Sequence, residues 1–230
     1  MPEPAPNPEL LRSLGRLVRG LSALFWGLPI ALIVCVQTAK SDWIRPLGYF
    51  PPVLTTGLLF YGLSLLGHFQ KQERVWRIAL DRALIFSLIN IGLSPFLVWA
   101  NRLPGQPFYT LMVELLCLSG LLFLFALNRV LWRLAAMLPD ETLRTETKAF
   151  TAFNRYVLLA TFALLVLYFI LGRIPHLPHA IVVLLFFVEG GGWLIVFFLG
   201  LLPVAMTMAL IWKTKEVILS SVFGAGPDVN

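Results

Sequence analysis

The chain has 230 residues, of which 58% are hydrophobic and only 13% are charged. A soluble globule of this size must cover its surface with polar side chains, so this composition and a mean hydropathy of +0.82 exclude a soluble domain and indicate a polytopic membrane protein. The formal net charge of +6 does not indicate a nucleic-acid partner, because the basic residues are scattered and form no stripe with interleaved aromatics.

The N-terminal segment combines four prolines among its first eight residues with a flank of three arginines before the first apolar run. Such a segment cannot bury enough surface to order itself, so we expect residues 1–20 to form a disordered cytosolic tail. Residues 21–39 are the first predicted span. Gln37 is a poor residue for a signal-peptidase site, which favours an uncleaved span over a secretory signal.

The second and third predicted spans, 53–68 and 83–100, flank a charged connector that a hydrocarbon core would reject. The second span carries glycines five residues apart, which indicates close helix packing. The third contains Asn90 near mid-depth. It also contains Pro95, which deletes one helical hydrogen bond and therefore predicts a bend.

The fourth and fifth predicted spans, 107–127 and 156–172, are joined by a segment that keeps helical spacing well past the hydrocarbon. Two long helices are therefore expected to form an antiparallel hairpin whose tip is a cytosolic stalk. Apolar stripes in water have to be covered, so the two arms should pack against each other. The residues expected to pack across the stalk are Leu134, Leu138, Phe150 and Phe153.

The last predicted segment, 180–213, is apolar up to its basic end apart from Glu189, and as a straight helix it would be about 50 Å long. That length exceeds a hydrocarbon layer of about 30 Å, so two alternatives stay open. Either Gly190, Gly191 and Gly192 break the segment into a re-entrant piece and a span, or one kinked helix runs through. Residues 214–230 are predicted to be a cytosolic C-terminal tail.

The distribution of positive charge predicts the orientation. Fourteen of the eighteen Lys and Arg fall in the N-terminal tail, the second and fourth loops and the C-terminal tail. Under the positive-inside rule, both termini and the stalk are cytoplasmic. We therefore expect an all-α membrane helix bundle of about six transmembrane helices within residues 21–213, oriented N-in/C-in as a multi-pass protein of the plasma (inner) membrane.

Few residues are candidates for chemistry. Glu114 lies inside the fourth span, where an ionised carboxylate costs on the order of 3 kcal/mol or more. It is a candidate proton or cation site together with Asn90 and, if the last segment is a kinked helix, Glu189. The alternative interpretation is a packing residue that is protonated or paired with an arginine.

Catalytic and cofactor motifs are missing from the sequence, which contains no phosphate-binding loop, HExxH or GxGxxG. Cys35 and Cys117 fall inside predicted spans and are expected to be reduced packing residues. His176 and His179 have no further ligand at metal-binding spacing. We therefore expect no catalytic residue, no metal and no cofactor.

Two main functions are compatible with this pattern. The first is a non-enzymatic accessory or structural subunit that contacts the lipid bilayer and binds other membrane subunits, or itself, through helix–helix and stalk contacts. The second is a small permease or substrate-binding membrane component that uses Glu114. An intramembrane enzyme is a third alternative.

Overall fold

The computed structural model describes residues 8–40, 45–69, 73–137, 141–174 and 193–223. Within these ranges the chain is helical and contains no strand, which confirms the predicted all-α class. The helices are α1 (Pro8–Lys40), α2 (Phe50–Leu66), α3 (Arg74–Leu93), α4 (Phe96–Arg102), α5 (Pro107–Met137), α6 (Glu141–Leu171) and α7 (Trp193–Phe223), with a short 3-10 turn at Arg45–Leu47.

Four stretches of the described chain are long and apolar enough to cross a membrane. They are Arg12–Lys40, Arg74–Arg102, Pro107–Met137 and Thr147–Leu171. The α2 helix is also apolar but has only 17 residues. These lengths and compositions support a membrane-embedded helix bundle.

The N-terminal region differs from the prediction. The α1 helix begins at Pro8, so residues 8–20 are helical and do not belong to a disordered tail. Pro8 is tolerated because the first turn of a helix needs no N–H donor. Leu17 and Leu21 have no exposed surface and belong to the core of the bundle, so tertiary packing orders a segment whose composition alone would not. Residues 1–7 lie outside the described residues.

The α1 and α2 helices approach each other most closely at Gly20 and Gly62. A Cβ added to Gly20 would lie 2.7 Å from the carbonyl oxygen of Gly62, and one added to Gly62 would lie 3.1 Å from the carbonyl oxygen of Gly20. Because these are backbone atoms, the contact requires the absence of side chains. Gly57, also on α2, has nothing within 4 Å of an added Cβ.

The third apolar stretch is interrupted between α3 and α4, at Ser94 and Pro95. Both residues keep right-handed helical backbone angles, and the Ser94 N–H donates to the Asn90 carbonyl oxygen at 2.9 Å. The interruption is therefore the local break in the hydrogen-bond ladder that a proline produces. The C-terminal end of α4 is tied to α1, because Asn101 Nδ2 donates to the Thr38 carbonyl oxygen at 3.2 Å.

The α5 and α6 helices have 31 residues each and are therefore about 46 Å long, which takes them past a hydrocarbon layer of about 30 Å. Their packing differs from the prediction. Leu134 is fully buried, but Phe150 and Phe153 are 46% and 57% exposed. Leu138 lies outside the described residues. The face of α6 that is buried instead alternates spacings of four and three and consists of Thr147, Thr151, Asn154, Leu158 and Thr161.

The α7 helix contains Pro203 and continues ten residues past the predicted boundary at Lys213, to Phe223. Thr214 and Ile218 are buried, so packing against the bundle explains the extension. Thr207, one turn after the proline, donates its hydroxyl to the Pro203 carbonyl oxygen at 2.7 Å. The predicted break at Gly190, Gly191 and Gly192 and the residue before it, Glu189, lie outside the described residues.

Candidate functional site

A partly open cavity of about 310 Å³ lies between the helices and is lined by residues from all seven α-helices. Its wall is mainly apolar, with side chains such as Leu28, Leu97 and Leu124. This volume is at the lower end of the range for small-molecule sites, roughly 300–1,000 Å³. The polar or sulfur-containing side chains in the described wall are Cys35, Thr56, Asn90, Cys117 and Thr161.

Asn90 is the most polar group in this wall. It lies on α3, is 5% exposed, and accepts a hydrogen bond at Oδ1 from the hydroxyl of Ser119 on α5. The Ser119 hydroxyl is also 3.1 Å from the Leu116 carbonyl oxygen. Asn90 Nδ2 donates to no described residue. The α3–α5 contact therefore fixes the amide through Oδ1 and leaves the Nδ2 donors without a described acceptor.

The threonines of the wall are already engaged. Thr56 donates its hydroxyl to the Pro52 carbonyl oxygen at 2.7 Å, and Thr161 donates to the Val157 carbonyl oxygen at 2.9 Å. Both hydroxyls are thereby turned back onto their own helices. The amide of Asn90 and the thiols of Cys35 and Cys117 remain as the groups that can contact a bound molecule.

Glu114 is not among the described residues that line the cavity, although Val113 and Cys117 on either side of it are. Its carboxylate forms an ion pair with Arg173, which follows the end of α6. The Glu114 side chain is 18% exposed and the Arg173 side chain 59%. The pair compensates a charge that would otherwise be expensive in hydrocarbon. The structure therefore does not bring Glu114 and Asn90 together in one site.

A second set of polar residues lies on α5, α6 and α7, away from the cavity wall. Asn128 Nδ2 donates to the Thr151 carbonyl oxygen at 3.0 Å, and Asn154 Nδ2 donates to Thr207 Oγ1 at 3.1 Å. These bonds connect α5 to α6 and α6 to α7. Sequence reasoning missed them. The available signal was the spacing of polar residues along α6, which places Thr151 and Asn154 on one face.

Three cations on α5, α6 and α7 lie over aromatic rings. Arg133 lies 4.5 Å from the centre of the Trp132 ring, Arg155 5.9 Å from that of Phe125, and Lys215 5.7 Å from that of Trp212. Basic and aromatic side chains of this kind collect where a helix leaves the hydrocarbon. Arg133 and Lys215 follow the predicted fourth and sixth spans, and Arg155 precedes the predicted fifth span.

The described wall of the cavity offers groups for binding and no carboxylate, imidazole or amine for proton transfer. Cys35 and Cys117 are free thiols, and the described chain has no group of three or more His, Cys, Asp or Glu that could hold a metal ion. No protein-family model, curated protein or solved structure matches the chain. Its function therefore has to be inferred from the geometry of its own residues.

Proposed function

We propose that the protein is a non-enzymatic integral membrane protein that acts as an accessory or structural subunit through helix–helix contacts with its partners. The observation that supports this function best is the outward face of α6. In Thr147–Leu171, 17% of the most apolar window is buried inside the bundle, compared with 33% to 39% in the other three candidate spans. Among these four described spans, α6 thus has the largest share of its apolar window left for a partner.

The exposed apolar face of α6 continues past the predicted edge of the hydrocarbon. Phe150 and Phe153 are exposed there, between Lys148 and Arg155. Phe150 lies about 9 Å along the helix from Tyr156, where the predicted span begins, whereas the headgroup layer adds only about 5–7 Å on each side. Phe150 therefore lies beyond the predicted headgroup layer, and Phe153, about 4.5 Å from Tyr156, lies within it. A helix of another subunit or of a second copy is the occupant that fits this pair of rings.

A photoreactive amino acid placed at Phe153 tests this function, with Leu158 as the buried control on the same helix. In native membranes we expect position 153 to cross-link to another polypeptide and position 158 to give no intermolecular product. Two differently tagged copies distinguish self-association from a different subunit. Lipid adducts alone at position 153 would contradict the proposal. A Phe153→Ser variant should then lose the same partner without losing thermal stability.

We further propose six spans in the plasma (inner) membrane with both termini cytoplasmic. The concentration of Lys and Arg on one side supports this orientation, as do the three cation–ring contacts, whose cations Arg133, Arg155 and Lys215 lie just beyond the predicted spans on the side that this topology places inside. In a background lacking Cys35 and Cys117, a cysteine at Gly105, in the exposed turn before α5, should react with an impermeant reagent from outside. A reporter fused after Asn230 should be active only as a cytosolic fusion. Labelling of position 105 from the cytosolic side would reverse the assignment.

A small permease or substrate-binding membrane component is the second candidate function, and the cavity with Asn90 in its wall favours it. Glu114 supports it less, because its carboxylate is occupied by Arg173. The Glu114→Gln variant separates the two functions, since the amide keeps the shape of the neutral acid. We expect a folded variant with wild-type growth. A variant that is folded but no longer supports wild-type growth would favour the permease.

A further inference from the structure

The cavity is too large to be a packing defect. Protein interiors contain few voids larger than a water molecule, and an engineered apolar cavity of roughly 150 Å³ already binds benzene. The cavity of this bundle measures about 310 Å³. The cavity is partly open, so a molecule can enter it from outside the bundle and gain dispersion contacts along its wall. Its size corresponds to about ten non-hydrogen atoms.

The wall also specifies a polar feature of the occupant. Asn90 is 95% buried, lines the cavity, and its Nδ2 donates to no described residue while Oδ1 is held by Ser119. Nδ2 is not among the fully buried side-chain atoms that lack a partner, so it is accessible from the cavity, where a ligand with one acceptor atom would accept its hydrogen bond. The remaining described wall is apolar apart from the thiols and the threonines that bond to their own helices.

We propose that this cavity is a binding site for a small, mainly apolar molecule with a single hydrogen-bond acceptor, such as a carbonyl oxygen, placed against Asn90 Nδ2. This site is separate from the α6 surface on which the subunit function rests. A molecule of this class partitions into the bilayer, which gives it access to a site inside a membrane bundle. Charged or strongly polar molecules are excluded by the apolar wall.

Two glycines provide a matched pair of variants. Gly120 lines the cavity, and a Cβ added there meets nothing within 4 Å. Gly92 on α3 is exposed, is not among the lining residues, and also has nothing within 4 Å of an added Cβ. Gly120→Leu therefore fills the cavity from its wall, whereas Gly92→Leu adds the same side chain outside it.

The probe is para-fluoroacetophenone, compared with para-fluoro-α-methylstyrene, which replaces the C=O group by an isosteric C=CH₂ group. Binding is followed by fluorine NMR with the protein in phosphatidylcholine nanodiscs, and empty nanodiscs correct for partitioning. We expect the wild type to bind the ketone about five- to tenfold more tightly than the alkene, the effect of one hydrogen bond. Asn90→Leu should bind both probes equally.

Gly120→Leu should lower the affinity for both probes by roughly tenfold or more because the new side chain takes up ligand volume. The affinity of Gly92→Leu should stay close to that of the wild type. Cys117 gives a second readout, since it lines the cavity and is exposed. The ketone should slow its alkylation by N-ethylmaleimide in the wild type and not in Gly120→Leu.

Three results would overturn the proposal. The first is equal affinity of the wild type for the two probes, and the second is binding to Gly120→Leu that matches the wild type. The third is a copurified phospholipid that neither probe displaces, which would assign the cavity to an acyl chain. None of these results bears on cross-linking at Phe153, so the ligand site and the subunit function can fail separately.

Discussion

Replacing Gly20 with Ala tests the close approach of α1 and α2. The new methyl group would meet a side-chain methyl of Leu66 and the carbonyl oxygen of Gly62, the latter at 2.7 Å. The Leu66 side chain can rotate away, but the Gly62 carbonyl can move only with its helix. Such overpacking costs about 1–3 kcal/mol, and the better helix propensity of Ala offsets about 0.5–1 kcal/mol of it. The expected net loss of unfolding free energy is about 1–2 kcal/mol.

Gly57→Ala is the matched control, because a Cβ at this α2 glycine meets nothing within 4 Å. This variant should gain about 0.5–1 kcal/mol from helix propensity alone. The assay is reversible unfolding of both variants in mixed micelles with increasing SDS, followed by tryptophan fluorescence. The same substitution should thus shift the midpoint in opposite directions at the two sites. Equal stability of the two variants would refute the close contact between the helix backbones.

Three further predictions concern α5 and α6. Leu134→Ala should lower the free energy of unfolding by about 2–4 kcal/mol, measured by heat or SDS, because this side chain is fully buried. Phe153→Ala should change the free energy of unfolding of the isolated protein by less than about 0.5 kcal/mol, and equal losses for the two variants would show that Phe153 is packed. A double-mutant cycle of Glu114→Gln and Arg173→Gln should give a coupling of about 0.5–1 kcal/mol, and zero coupling would mean that the ion pair does not persist in the membrane. Asn128→Ala should cost about 1–2 kcal/mol through its lost bond to α6, and a neutral result would leave apolar packing as the link between the helices.

The membrane class and the helical architecture could be predicted because a high apolar content indicates a lipid environment and helical periodicity indicates helices. The fourth predicted span and its extension correspond to Pro107–Met137, a single helix. Which face of α6 points into the bundle could not be predicted in the same way. Phe150 and Phe153 were expected to face inward, as apolar residues do in water. In a membrane bundle apolar residues also face lipid or a partner, and here Thr151 and Asn154 face inward.

The candidate site could be predicted only in part. A polar residue such as Asn90 in the middle of an apolar stretch can be recognised from the sequence. Its partner Ser119 is 29 residues away, and Arg173 is 59 residues from Glu114, so both pairings depend on which helices are neighbours. The cavity has no sequence pattern at all, because it results from the spaces that several helices leave between them.

The shortness of α2 has a consequence for the surrounding lipid. With 17 residues this helix is about 25 Å long, less than the roughly 30 Å of a typical hydrocarbon layer that the helices packed against it can span. Leu54 and Tyr61 are exposed on it. If α2 is one of the six spans that we propose, we expect the bilayer beside it to thin by a few Å, and such mismatch costs fractions of a kcal/mol per Å. Lipids with short acyl chains should collect along this flank, and thin membranes should retain the protein better than thick ones.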